Sequence, residues 1–132
     1  MRISPITLAI SLGAILLGTA CSSSSTDRAN EFKVDKVKAM VADGLSDPDS
    51  AKFRRLFISE FEEGKGTATA ILSLCGEVNA KNKMGGYVGY HRFVADGKVA
   101  FIDENLDENS VEQKAFNTLY SASCSSSIKE VG

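Results

Sequence analysis

The residues best equipped for chemistry gather in one stretch, CGEVNAKNKMGGYVGYHRF (residues 75–93), which holds Cys75, the chain's one histidine (His91) and two of its three tyrosines, Tyr87 and Tyr90. A cysteine with a histidine is the raw material of a thiolate nucleophile. That chemistry needs a base within reach and a depressed thiol pKa. His91 is the sole candidate base, and a disulfide at Cys75 would disarm the thiol, so the pattern assigns no catalytic residue. The same stretch suits recognition better. Tyrosine and arginine are common interface anchors, and loops carry function disproportionately. The candidate binding surface is Asn79, Lys81, Asn82, Lys83, Tyr87, Tyr90, His91 and Arg92. The bland alternative is ordinary loop and strand surface.

Other patterns carry less. Asp103, Asn105 and Asp107 in DENLDEN have the opening spacing of a calcium loop. The sixth position then holds Glu108 instead of glycine, and the twelfth Lys114 instead of glutamate. An acidic helix N-terminus explains the run. Zinc needs several ligands in register, and one histidine does not supply them. Ser126 and Lys129 match S-x-x-K in a polar tail, away from the helix start that motif requires. GGYVG has neither a Walker nor a dinucleotide spacing. Glu60, Glu62 and Glu63 read as solvated strand and turn charges, since a glycosidase pair also needs a cleft. No cofactor and no metal is expected.

Bulk composition narrows the class. The chain has 132 residues, 43% hydrophobic and 24% charged, with a formal net charge of −2. This is an ordinary one-domain globular composition. A mildly acidic chain is a poor nucleic-acid binder, which needs a basic face.

The first residues set a compartment. MRISPITLAISLGAILLGTAC opens on Arg2, continues through an apolar run to Leu17 and ends in Gly18, Thr19 and Ala20, the three-part pattern of a secretory signal. The run is short for a membrane span and is interrupted by Ser4, Pro5, Thr7 and Ser11. Cys21 and the serines after it resemble a bacterial lipoprotein signal. The resemblance implies removal of residues 1–20, diacylglycerol on Cys21 and a flexible polar tether over 21–29. Ser22 implies sorting to the outer membrane, with the domain facing the periplasm. The position three before the cysteine is Gly18 where that family has leucine. Gly18-Thr19-Ala20 also suits ordinary signal peptidase, which would give a soluble periplasmic protein.

An odd count of three cysteines in an exported chain asks for an explanation. Lipid on Cys21 leaves Cys75 and Cys124 as one disulfide in an oxidising compartment. Two buried free thiols are the alternative.

The elements that must position these residues follow from periodicity. Val34, Val37, Val41 and Leu45 fall at helical spacing and predict a helix over 30–42 that ends near Gly44. Asp47-Pro48-Asp49 predicts a single helical turn capped by Asp47. Strands are predicted over 53–62, 67–78, 87–94 and 98–102, with Asp96-Gly97 turning the last hairpin. A second helix is predicted over 110–121, capped by Ser110 with Gln113 as a capping box or equally by Asn109, and a loose polar tail over 125–132. The expected fold is α+β: an N-terminal helix, a four-stranded antiparallel sheet and a C-terminal helix in one domain over 30–124, with one helix or both covering one face of the sheet.

DPDSAKFRRL (47–56) and CGEVNAKNKMGGYVGYHRF (75–93) together resemble a group of small exported or prophage-associated bacterial proteins. The resemblance implies a shared fold and surface and brings no activity with it. With the lipoprotein signal, it points to a non-enzymatic envelope module of inhibitor, immunity or superinfection-exclusion type. Its expected partner is a protein or envelope component. An accessory structural lipoprotein is one alternative, and a soluble periplasmic enzyme with Cys75, His91 and the tyrosines as its core is another.

Overall fold

The computed structural model describes residues 23–62 and 70–132. The expected signal peptide and Cys21 lie outside the described residues. Described elements run α1 (Ser25–Glu31), α2 (Val34–Asp43), a 3-10 turn (Pro48–Ser50), β1 (Lys52–Glu62), β2 (Ala70–Asn79), β3 (His91–Ala95), β4 (Ala100–Ile102), α3 (Val111–Ser123) and β5 (Ser127–Glu130). The strands form one antiparallel sheet in the order β4-β3-β2-β1-β5. The chain is a single α+β domain with helices before and after its central strands.

Alternation along the strands gives the sheet two distinct faces. Leu56, Ile58, Leu74, Val78 and Phe93 point to one side and pack with Ala29 of α1 and Val37 and Val41 of α2 as the hydrophobic core. Phe53 meets Phe93 edge to face, ring centroids 5.7 Å apart. Cys75 and Arg92 point to the other side, where α3 crosses. Cys75 is bonded to Cys124 just past α3, with Cα atoms 6.0 Å apart, and Arg92 reaches Asn117 of α3. The helices therefore cover opposite faces, which excludes the alternative with both on one side. The reason is connection geometry: α3 must carry the chain from the β4 edge to the β5 edge, and the near side is already filled by α1 and α2.

Other expectations need revision too. The predicted N-terminal helix is two helices, broken at Phe32, whose backbone is extended while its side chain packs against the core. The first of them starts earlier than periodicity indicated. Ser24 and Asp27 form a reciprocal capping box, so residues 25–29, read as tether, are helical. The tail is not loose. Residues 127–130 form β5 on the outer edge of β1, with Ile128 and Val131 packed against the core. The open edge of β1 accounts for it, and the sheet has five strands where four were expected. Residues 87–90 are not part of β3, because Gly89 takes φ +105° and its N–H donates to the Asn79 side chain. The turn at Pro48–Ser50 forms as predicted, without a side-chain hydrogen bond from Asp47.

The two familiar segments prove to be one paired unit. Lys52, Phe53 and Arg54 lie opposite Asn79, Val78 and Glu77. Between Arg54 and Phe57 the register shifts in a β-bulge, with Arg55 at φ +53°. Gly76 sits under the bulge. A Cβ there would meet Leu56 Cδ2 at 2.7 Å and the carbonyl oxygens of Arg54 and Arg55 at 3.1 and 3.2 Å. The Cys-Gly pair of the segment is thus structural twice over, once as a staple and once as space for the bulge.

Candidate functional site

The β2–β3 connection is a built turn. Asn82 Oδ1 accepts from the N–H groups of Met84 (3.0 Å) and Gly86 (3.1 Å). Asn82 N–H donates to the Gly86 carbonyl, and Gly85 N–H to the Asn82 carbonyl, both at 2.9 Å. Gly85 takes φ +83°, which a residue with a Cβ resists. The base of the turn is clamped to the Pro48–Ser50 turn. Lys81 N–H donates to Ser50 Oγ at 2.8 Å, Ser50 Oγ donates to the Asp47 carbonyl, and Tyr87 pairs with Lys81 as a β-bridge. The Tyr87 ring lies 4.4 Å from Lys52 Nζ and 5.8 Å from Lys81 Nζ, a double cation–π contact.

This scaffold points an apolar side chain at solvent. Met84 is 94% exposed at the tip, with Val88 and Tyr87 exposed behind it. Between Ala80 and Tyr90 the loop carries Lys81 and Lys83 and no carboxylate. The adjoining turn carries Asp47 and Asp49.

The remaining predicted residues belong to a second cluster beside α3. Arg92 donates to Asp103 Oδ2 through Nε (3.0 Å) and Nη2 (2.6 Å) and to Asn117 Oδ1 at 2.8 Å, and it lies over Phe116 and Tyr120. Asp103 is 2% exposed and its other oxygen accepts from Gln113 Nε2 (2.9 Å) and Asn105 N–H (3.0 Å). Burial pushes the Asp103 carboxyl up. The hydrogen bonds from Gln113, Arg92 and Asn105, with the Arg92 charge, outweigh it and hold the group below its ordinary value. Burial also raises the Tyr120 hydroxyl, with the Glu77 charge adding to it against Arg92. His91 Nδ1 lies 2.7 Å from the Asp103 carbonyl. A carbonyl only accepts, so Nδ1 carries the hydrogen. Tyr90 lies under the Arg54 guanidinium at 3.6 Å, and Arg54 and Arg55 both pair with Glu77.

The eight candidate binding residues therefore divide. Lys81, Lys83 and Tyr87 share the tip. Asn79 and Asn82 spend their side chains on the loop's own backbone. His91 and Arg92 are engaged with Asp103, and Tyr90 with Arg54. Met84 and Val88, the most exposed apolar residues of the loop, were missed; an isolated methionine in a Gly-rich polar loop was the available signal. Asp103 was weighed only as part of a calcium pattern, and its oxygens are instead occupied by protein donors. Among the described residues no cluster of three or more His, Cys, Asp or Glu is placed to hold a metal ion, and no helix is long and apolar enough to cross a membrane.

Beside α3 the sheet face is incompletely covered. A groove of about 290 Å³ is lined by Phe101, Leu106, Phe116 and Leu119, with Glu104 and Glu112 on its wall. Phe101 and Leu106 are exposed here. A binding site for a drug-sized molecule runs from about 300 to 1,000 Å³, so this groove is at the size of a protein side chain or two. The chain matches no family model, no curated protein and no solved structure.

Proposed function

We propose that this chain is a small, non-enzymatic binding module of the bacterial cell envelope, anchored by lipid on Cys21, with the tip of the β2–β3 loop as its contact surface. The observation that carries the reading is Met84. A turn closed by four hydrogen bonds around Asn82 holds an apolar side chain 94% exposed, just after Lys81 and Lys83 in the chain. Holding it out of the core has a cost that recognition would offset. The groups a nucleophilic mechanism would use are committed elsewhere: Cys75 is in the disulfide and His91 Nδ1 is on a backbone carbonyl.

The position of the anchor favours the same surface. Arg28 bonds both the Ser23 carbonyl and the Glu60 side chain, so the N-terminal end of the described chain lies beside the Glu60 end of β1. Lys52, under the tip, is eight residues away along that strand, about 25 Å at 3.3 Å per residue. From Cys21 to the cap at Ser24 the chain reaches at most about 10 Å. A lipid on Cys21 would hold the body close to the bilayer by its Glu60 end and present the tip away from it. An outer-membrane location facing the periplasm, and a role of inhibitor, immunity or superinfection-exclusion type, belong to this proposal.

Intact mass of the mature chain and membrane fractionation test it. Diacylglycerol on Cys21 and release of Cys21→Ala into the soluble fraction are the expected results. An unmodified N-terminus beginning at Cys21 sinks the anchor, and a Lys81→Glu/Lys83→Glu/Met84→Asp variant that keeps all envelope crosslinks of the wild type sinks the tip.

A further inference from the structure

Five of the seven exposed large apolar residues of the described chain fall into two patches of opposite charge, and Val99 and Val111 line neither. One is the tip, with Met84, Val88 and Tyr87 among Lys52, Lys81 and Lys83. The other is the groove beside α3, with Phe101 and Leu106 exposed and Glu104 and Glu112 on its wall. Asp107 and Glu108 extend the acidic side, and no lysine or arginine lines the groove. We infer that the groove is the receptor for the tip of a second copy of this chain. The inference takes the tip as the contact surface, as above, and does not depend on lipid.

Size, chemistry and topology agree. An unbranched thioether fills irregular apolar space well, and about 290 Å³ is room for Met84 with part of Val88. Lysines at 81 and 83 would face carboxylates at 104 and 112 around the apolar contact, an arrangement that fixes register and speeds encounter. Both patches sit at one end of the sheet. The tip enters β3 at His91, the acidic loop leaves β4 at Ile102, and His91 is bonded to the Asp103 carbonyl. Two copies meeting at that end can each insert a tip into the other's groove, which closes a two-fold dimer and leaves no unfilled patch to propagate a chain. The N-terminal end of the described chain, beside Glu60, stays clear of the contact.

Sedimentation velocity of the full mature chain, in detergent if it is lipidated, over a concentration series reads this directly. The wild type should form a dimer that weakens as salt is raised. Lys81→Glu/Lys83→Glu and Glu104→Lys/Glu112→Lys should each weaken self-pairing by about tenfold or more, since each then faces like charge. Mixed together, the two variants should pair again, because both contacts are complementary in the mixture. Met84→Asp, which alters no backbone bond of the turn, should abolish the dimer while leaving unchanged the denaturation midpoint measured at dilutions where the wild type is monomeric. A wild type that stays monomeric throughout overturns the pairing, as does a mixture that fails to recover it. If the monomeric wild type still loses envelope crosslinks on tip substitution, the tip reading survives and the second copy is wrong.

Discussion

Two polar loops at the same end of the sheet solve opposite problems. In the loop over 80–90, polar side chains turn inward onto their own backbone, through Asn79 and Asn82, and an apolar side chain is left outside. In the loop over 103–110, a carboxylate is taken inside and shared among Arg92, Gln113 and Asn105, while its other acids stay in water. The first is a local structure whose bonds span four residues at most around Asn82. The second ties β3, β4 and α3 together. If the tip is the contact surface proposed above, the comparison separates a loop that presents a side chain from a loop that holds the fold. It predicts large global effects from the second and small, surface-specific ones from the first.

Asp103→Ala should have the largest effect. It leaves the Arg92 charge and the Gln113 amide without their acceptor next to the α3 interface. Breaking a buried pair costs about 3 kcal/mol or more, though the half-exposed Arg92 can recover some hydration. Urea denaturation should show this as a lower midpoint. An unchanged midpoint would make the two loops equivalent and end the comparison. Acid sharpens the same point. The folded-state carboxyl lies below the ordinary 3.8, so its contribution is fully present above that value and is lost as pH falls through the lower one. The gap in stability between wild type and Asp103→Asn should therefore narrow below about pH 4, and a gap that stays constant into acid would refute the assigned ionisation.

How much of this could be read beforehand depends on the range of the interaction. The Asp96-Gly97 hairpin was legible because its signal is local: Asp96 Oδ1 accepts from the N–H groups of Lys98 and Val99, and Gly97 takes φ +88°. The start of α3 was legible for the same reason, with Ser110 Oγ accepting from Gln113 N–H. The other half of that capping box was not. The Gln113 side chain leaves Ser110 and serves Leu106 and Asp103, a choice set by burial. The pairing of Cys75 with Cys124 followed from counting cysteines. Strand β5 holds one apolar residue in SIKE and gains its meaning only from the open edge of β1. The burial of Asp103 was invisible in a run of acids, because what distinguishes it from Asp107 is Arg92, eleven residues earlier. Asn79 and Asn82 show the same limit, since sequence ranks asparagines by their capacity to bind and cannot show that the backbone has already used them.

Asn82→Ala comes next in size. It removes one side-chain oxygen that accepts two hydrogen bonds in an exposed turn, about 1 kcal/mol in net hydrogen bonding. The global midpoint should move little, while hydrogen exchange at the Met84 and Gly86 amides should quicken. A global loss as large as that of Asp103→Ala would mean that the tip also holds the fold.

Met84→Ser is the smallest change for stability and the most telling for the comparison. The side chain is almost wholly exposed and the turn uses only its backbone N–H, so surface substitution should alter stability by less than about 0.5 kcal/mol. Nothing in the fold would then explain why a methionine stands there. If the same variant loses association while retaining its midpoint and its amide protection, the residue is held out for a partner. If association and stability are both untouched, presentation is the wrong account of the loop, and the turn around Asn82 serves only to join β2 to β3.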